Sequence, residues 1–151
     1  VADHVPSETF APKTMTPTGN TQIVCLIYTP DGSLRGANRS VAQQIDLMPT
    51  LLGLTGYDRP YFAFGRDVLR ETDREPMVSN YAGGTYQGIT DSLVLFFDGE
   101  RTLSAYLRSD TLQKNDISGI RTPALEAAER DLKARLQQYY RHVKQKDYLA
   151  E

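Results

Sequence analysis

The sequence predicts an α+β fold in which a small antiparallel sheet of about four strands is covered by a C-terminal helix. Two observations in the second half of the chain carry this prediction. Strand-like runs flank the turn dipeptide Asp98-Gly99, and apolar side chains from Leu125 onward recur every three or four residues. In the first half, the apolar run at residues 22–28 is typical of a strand inside a larger parallel or mixed sheet.

The composition is that of a folded domain. Of the 151 residues, 40% are hydrophobic and 24% are charged, and a chain of this length buries about two-thirds of its surface on folding. The net charge is −2, so the basic excess of nucleic-acid-binding proteins is missing and no nucleic-acid partner is expected. No stretch approaches the roughly 20 apolar residues that a membrane span needs, which predicts a soluble piece.

The predicted strand at residues 22–28 lies between two loops. Residues 10–20 are rich in proline and threonine and predict an exposed loop, and residues 32–40 form a second loop after the turn Pro30-Asp31-Gly32. Cys25 is the sole cysteine, so no internal disulfide can form. Because its neighbours on both sides are apolar, we expect Cys25 to be a buried core residue.

A first helix is predicted at residues 47–55. Asp46 is placed to cap it, Pro49 is tolerated in its first turn, and Gly56 is suited to end it. Beyond this helix, residues 57–75 alternate aromatic and charged side chains without a regular period. We expect that segment to be a loop, packed over the body of the protein by Tyr61, Phe62 and Phe64.

The second half is predicted to hold the small sheet and its cover. The four expected strands are residues 77–81, 86–90, 92–97 and 102–108. The covering helix starts with Thr122 as N-cap and Pro123 in its first turn. Its apolar stripe consists of Leu125, Ala128, Leu132, Leu136, Tyr139 and Val143.

The pair Asp3-His4 is the candidate site for chemistry. It follows the apolar Val1-Ala2, and polar residues at the carboxyl end of a sheet strand commonly face an active-site crevice. A carboxylate oxygen with an imidazole nitrogen suits Zn or Mn. In the alternative interpretation, Asp3 caps a turn and His4 packs under the following loop.

The other candidates favour structural interpretations. Gly83, Gly84 and Gly88 lack the Lys-Ser/Thr ending of a phosphate-binding loop, which indicates a flexible turn. His142 lies among charged residues and is expected to be exposed. Arg66 is suited either to an anionic substrate or to a salt bridge within its loop, and the second is favoured.

Four motifs occur in an order that resembles the sulfatase family, within the alkaline-phosphatase-like superfamily. They are Val1-Ala2-Asp3-His4, the strand at residues 24–28 ending at Pro30, the sequence QIDLMPTLL at residues 44–52, and FGRDVL at residues 64–69. The run Tyr61-Phe62-Ala63-Phe64 is most similar to the lipoteichoic acid synthase branch, whose members are membrane-anchored phosphoglycerol transferases with a catalytic domain outside the cytoplasm.

The resemblance implies that Asp3 and His4 ligate a catalytic divalent metal, which is Mn, Mg, Zn or Ca. The family's nucleophile and its substrate-binding residues lie upstream, so no catalytic residue is assigned in this chain and its substrate-binding residues stay unknown. Residues 1–151 are then a single C-terminal piece of a larger catalytic domain with an alkaline-phosphatase-like α/β fold. Residues 1–75 belong to the end of the main sheet, and residues 76–151 form the antiparallel sheet and helix.

The start of the chain fits this expectation, because it opens with Val1 rather than Met at an apolar-to-acidic step typical of the end of a strand. We therefore expect an upstream part of the domain as a partner, self-association through an exposed sheet edge, and no turnover by the piece alone.

By the same resemblance, the whole enzyme transfers a phosphoglycerol group from a phosphodiester lipid, through a covalent intermediate on a threonine, to an acceptor. Two alternatives stay open. The enzyme is a sulfatase that hydrolyses sulfate esters, or the piece is a binding module without catalytic activity.

Overall fold

A computed structural model describes residues 1–5, 11–70 and 75–146. It is an α+β structure with a four-stranded antiparallel sheet in the order β1-β2-β3-β4. The strands are β1 (Met77–Ala82), β2 (Thr85–Thr90), β3 (Leu93–Phe97) and β4 (Thr102–Leu107), and the helices are α1 (Leu47–Leu54) and α2 (Pro123–Gln145). Short 3-10 turns occupy Pro12–Met15, Gly19–Thr21 and Gln44–Asp46. The four predicted strands and the covering helix are confirmed.

Local turn chemistry explains the strand pairings. Gly83 and Gly84 join β1 to β2 with φ of 60° and 80°, and two positive φ angles match the twist of a two-residue hairpin. The predicted hairpin at Asp98-Gly99 is also confirmed, although its connection is residues 98–101 because Phe97 pairs with Thr102. One carboxylate oxygen of Asp98 accepts hydrogen bonds from the backbone N–H groups of residues 100 and 101, at 2.8 and 2.9 Å.

The core lies between α2 and one face of the sheet. Its buried members are Met77, Leu93, Leu95, Phe97, Ala105, Leu125, Ala128 and Leu132. Gly88 in β2 makes this close packing possible, because a Cβ atom there would lie 3.0 Å from Leu95 and 3.2 Å from Leu132. The prediction that Gly88 belongs to a flexible turn is therefore wrong, whereas the predicted turn is confirmed at Gly83 and Gly84.

Helix α2 starts as predicted but covers the sheet only with its first half. Thr122 Oγ1 accepts a hydrogen bond of 3.2 Å from Leu125 N, and Pro123 begins the helix. Its 23 residues span about 35 Å, whereas a six-residue strand spans about 20 Å. The helix therefore extends past the sheet, and the last two members of the predicted stripe, Tyr139 and Val143, are exposed.

The loop at residues 57–70 packs on the second half of α2. Phe64 lies 5.6 Å from Tyr139 between ring centroids, and Phe62 lies 4.7 Å from His142. The predicted packing is thus confirmed for these two phenylalanines. Tyr61 is exposed and contacts Tyr57 within the loop, so it does not share this role. The end of the predicted loop, residues 71–74, lies outside the described residues.

The predicted buried strand at residues 22–28 is wrong for this chain. The segment has no strand assignment, Cys25 is exposed, and Val24, Leu26 and Tyr28 are 66%, 83% and 85% exposed. A strand forms only where neighbouring backbone supplies a ladder of hydrogen bonds. Among the described residues, residues 23–28 receive one backbone bond, of 3.0 Å from Ala2 N to Val24 O.

The first predicted loop is more ordered than expected. Residues 11–21 contain two of the 3-10 turns, and Thr18 and Gly19 are buried. Gln113 Nε2 donates a hydrogen bond of 2.9 Å to Thr18 Oγ1. This contact fastens the segment to the loop that follows β4, a long-range partner that local composition does not encode. Phe10, the first residue of the predicted loop, lies outside the described residues.

Leu132 is a direct test of the core. Its side chain is fully buried against β2 and β3, so we expect Leu132→Ala to lower the free energy of unfolding by about 3 kcal/mol. The measurement is urea denaturation followed by circular dichroism. Leu103→Ala, at an exposed position of β4, is the matched control and should change stability little. Equal losses for the two variants would contradict this core.

Candidate functional site

Asp3 and His4 lie side by side on the surface. Their side chains are 90% and 79% exposed, and Asp3 Oδ1 lies 3.8 Å from His4 Nε2. The same carboxylate oxygen accepts a hydrogen bond of 3.0 Å from the backbone N–H of His4. Among the described residues, both side chains are therefore accessible to a ligand.

The ring of His4 is oriented by the next residue. His4 Nδ1 lies 2.7 Å from the carbonyl oxygen of Val5. Because a carbonyl oxygen can only accept, the hydrogen bond places the proton on Nδ1. The lone pair of neutral His4 is then on Nε2, which lies 3.8 Å from Asp3 Oδ1. A backbone carbonyl that binds the second ring nitrogen is the usual support of a metal-ligating histidine.

The spacing of the two groups fits one metal ion. Two zinc ligand atoms bonded at about 2.1 Å and at a tetrahedral angle lie about 3.4 Å apart, and the 3.8 Å between His4 Nε2 and Asp3 Oδ1 is within a few tenths of an ångström of that spacing. One ion can therefore contact both atoms. Within residues 1–5, 11–70 and 75–146, no group of three or more His, Cys, Asp or Glu side chains could hold a metal. The described residues thus place two candidate donor side chains here, fewer than the three or four of a usual protein zinc site.

Gln44 connects this pair to the rest of the fold. Its Nε2 donates hydrogen bonds to the carbonyl oxygens of Asp3, at 3.0 Å, and Ala2, at 3.3 Å. Gln44 belongs to the motif at residues 44–52, but the sequence gives it no separate role because its partners lie 41 and 42 positions away. It begins the 3-10 turn that leads into α1.

Asp46 has a different role from the predicted helix cap. It is 5% exposed, and its side chain makes no capping bond to α1. Its two carboxylate oxygens instead accept from the backbone N–H groups of Gln43, at 2.9 Å, and Arg66, at 2.8 Å. The Asp46 carboxylate therefore joins the turn before α1 to the loop at residues 57–70.

Arg66 serves the same junction. Its guanidinium donates to Val41 O at 2.9 Å and to Ser40 Oγ at 3.3 Å. The Asp91 carboxylate, just after β2, accepts from Ser40 Oγ at 2.9 Å and from Val41 N at 2.7 Å. Arg108 Nη1 lies 3.4 Å from Asp91. The contacts of Arg66 are thus to neutral oxygens within the fold, and they differ from both the predicted salt bridge and an anion site.

His142 is not exposed as predicted. It is half-buried between Phe62 and Phe64, at 4.7 and 5.8 Å between ring centroids. The charged neighbours in the sequence hid this contact, because Phe62 and Phe64 come from a loop some 80 positions away along the chain. Its surroundings are those of a packing residue.

Several carboxyl groups have lowered pKa values, and turns explain them. Backbone N–H donors hold the pKa of Asp98, Asp110 and Asp116 below the ordinary value, chiefly through Arg101, Asn115 and Ala105 in that order. Shifted pKa values often mark functional sites. Here each carboxylate fastens a turn or loop next to β4, which is a structural role.

A shallow depression of about 370 Å³ opens on the face of the sheet opposite α2. It is lined by Met15, Thr16, Pro17, Phe96, Ser104, Tyr106, Leu112 and Gln113. The lining contains neither Asp3 nor His4 and no acidic or basic side chain. The depression therefore adds no charged side chain to the candidate site.

Comparisons with models of known families, with curated proteins and with solved structures found no match for this chain. Within the described residues, no helix is both long and apolar enough to span a membrane.

The Asp46 junction is testable by substitution. Asp46→Ala leaves two backbone donors without their charged acceptor, so we expect the free energy of unfolding to fall by about 2–4 kcal/mol. Asp46→Asn retains one acceptor oxygen and should lose less. The free energies of unfolding of these variants are compared by urea denaturation, with the exposed Asp58→Ala as control. Equal stability of Asp46→Ala and the unmodified chain would rule out a stabilising junction.

Proposed function

We propose that this chain is the C-terminal part of a metal-dependent enzyme of the sulfatase family, closest to its membrane-associated phosphoglycerol transferases. Asp3 and His4 are two ligands of the catalytic metal in this proposal. The observation that carries it is the geometry of the pair. The two side chains are accessible, Asp3 Oδ1 lies 3.8 Å from His4 Nε2, and the Nδ1 contact of His4 leaves the lone pair of the neutral ring on Nε2.

The surroundings of the pair support its place in a sheet. Ala2 N donates to Val24 O, so the residues before Asp3 lie beside the apolar segment 22–28. Segment 22–28 has the composition of a sheet strand, and ligands in α/β sheets bind beyond the carboxyl ends of strands. Asp3 and His4 follow the first segment directly, at the position where such a crevice would begin.

The exposure of segment 22–28 supports an upstream partner. Four aliphatic side chains and Tyr28 occur in seven uncharged residues, and Val24, Leu26 and Tyr28 are at least 66% exposed. A long, uncharged and apolar segment with unpaired backbone groups ordinarily pairs with further strands. The remaining part of the catalytic domain would supply those strands and cover these side chains.

The chemistry assigned to this chain is limited to metal binding. Asp3 would supply a carboxylate oxygen and His4 its Nε2 nitrogen. A divalent Mn, Mg, Zn or Ca ion held by these two residues would supply positive charge to stabilise a phosphodiester during transfer outside the cytoplasm. The nucleophile and the other ligands would come from the upstream part, so the chain alone is expected to have no turnover.

Metal titration tests the proposal. We expect isothermal titration of the chain with Mn²⁺ or Zn²⁺ to show weak binding, because two protein ligands leave most of the coordination sphere to water. The double variant Asp3→Ala, His4→Ala should abolish that heat. His142→Gln removes the other histidine of the chain and is the matched control. Binding that survives the double variant, or no binding at all, would contradict the proposed ligand pair.

The exposed segment predicts self-association of the isolated chain. We expect sedimentation velocity at tens of micromolar (roughly 50 µM) to give species larger than the 16.9 kDa monomer. Leu26→Lys places a charge in the exposed segment and should restore the monomer, because lysine blocks edge pairing. Leu112→Lys, at another exposed leucine, is the control. A monomeric unmodified chain would contradict this prediction.

A further inference from the structure

Gln43 and Gln44 direct their side chains to different parts of the fold. Gln43 Oε1 accepts a hydrogen bond of 3.2 Å from Ser79 N in β1, and the same side chain takes part in the capping box of the turn Gln44–Asp46. Gln44 Nε2 instead donates to the carbonyl oxygens of Asp3 and Ala2. Two consecutive amides therefore link the antiparallel sheet to the candidate metal ligands.

We propose that Gln44 is the positioning residue of the Asp3–His4 pair. The contact between Gln44 and the backbone of residues 2 and 3 rests on the two hydrogen bonds. That this contact serves to position metal ligands rests on the proposed function. An amide nitrogen carries two N–H groups, so one can go to each carbonyl oxygen. Because both bonds are to backbone, they hold the chain at Ala2 and Asp3, directly before His4, while the Asp3 carboxylate and the His4 imidazole stay available.

The turn that carries Gln44 is itself held at several points. Asp46 accepts from Gln43 N, and Asp91 accepts from Val41 N at 2.7 Å. Together with the bond from Ser79 N to Gln43, these contacts fix residues 41–46 against the sheet. Gln44 is therefore a fixed donor for residues 1–5. The other described backbone contact of this segment to the fold is the bond from Ala2 N to Val24 O.

Gln44 would therefore act as an outer-sphere residue, which contacts the backbone of the ligand segment and not the metal. Loss of such a partner typically lowers metal affinity by 10- to 100-fold without removing a ligand. The physical reason is that a ligand pair that moves freely has to be ordered when the metal binds. Gln44 contacts neither ligand side chain, so its effect would be on order and not on the charge or number of ligands.

The test is a nuclear magnetic resonance measurement of backbone order in the full chain. In the unmodified chain we expect the order parameters of residues 3 and 4 to lie near the rigid value of about 0.85, and in Gln44→Met below about 0.6. Gln44→Lys restores an N–H donor of similar reach and should recover part of the order. Gln138→Met, on the exposed side of α2, is the matched control.

A stability comparison separates positioning from folding. Gln43→Met removes the contact to β1 and should lower the urea midpoint, whereas Gln44→Met should leave the midpoint unchanged while residues 2–4 lose order. Metal titration of Gln44→Met should then show about tenfold weaker binding. If residues 3 and 4 keep their order in Gln44→Met, the positioning role is wrong.

The two proposals fail in different ways. An unmodified chain that binds no metal, but whose residues 3 and 4 lose order in Gln44→Met, supports the positioning contact and overturns the proposed metal role. An unmodified chain that binds metal through Asp3 and His4 with equal affinity in Gln44→Met supports the metal role and overturns Gln44 as its positioning residue.

Discussion

The packing of α2 on the sheet is the interaction on which the rest of the structure depends. A four-stranded antiparallel sheet with an uncovered apolar face is unstable in water, and Leu132 supplies the cover by packing at Gly88 and Leu95. All five residues of β3 are buried. The aromatic loop at residues 62–64 also lies on α2, so loss of this helix would release the sheet and the loop together.

The candidate site depends on this core, although the polar contacts that tie it to the sheet lie outside the α2 interface. The sheet holds the turn before α1 through Asp91 and through Ser79 in β1. This turn carries Gln44, whose side-chain amide donates a hydrogen bond to the backbone carbonyl oxygen of Asp3. Substitutions that loosen the sheet should therefore disturb the candidate pair Asp3 and His4. The Asp46 carboxylate connects the same turn to the loop that packs on α2.

Sequence reasoning succeeded where each residue's main partners are close in the chain. The hairpin at Asp98-Gly99, the start of α2 at Thr122 and Pro123, and the glycine end of α1 depend on bonds across a few positions. It failed at residues 22–28, where apolar composition predicts burial but the strands needed for burial are not among the described residues. Composition records the preference of a segment for a buried environment, and it does not supply the partner.

By itself the sequence determined the four strands, both helices and the start of the apolar stripe with which α2 covers the sheet, because periodicity and turn chemistry are written in neighbouring residues. The tertiary structure alone decided which polar groups meet. Asp46 binds a donor 20 positions away, Gln44 binds acceptors 41 and 42 positions away, and Asp91 binds donors 50 and 51 positions away. No local pattern encodes such pairs, since their geometry exists only after the helix and the sheet have packed.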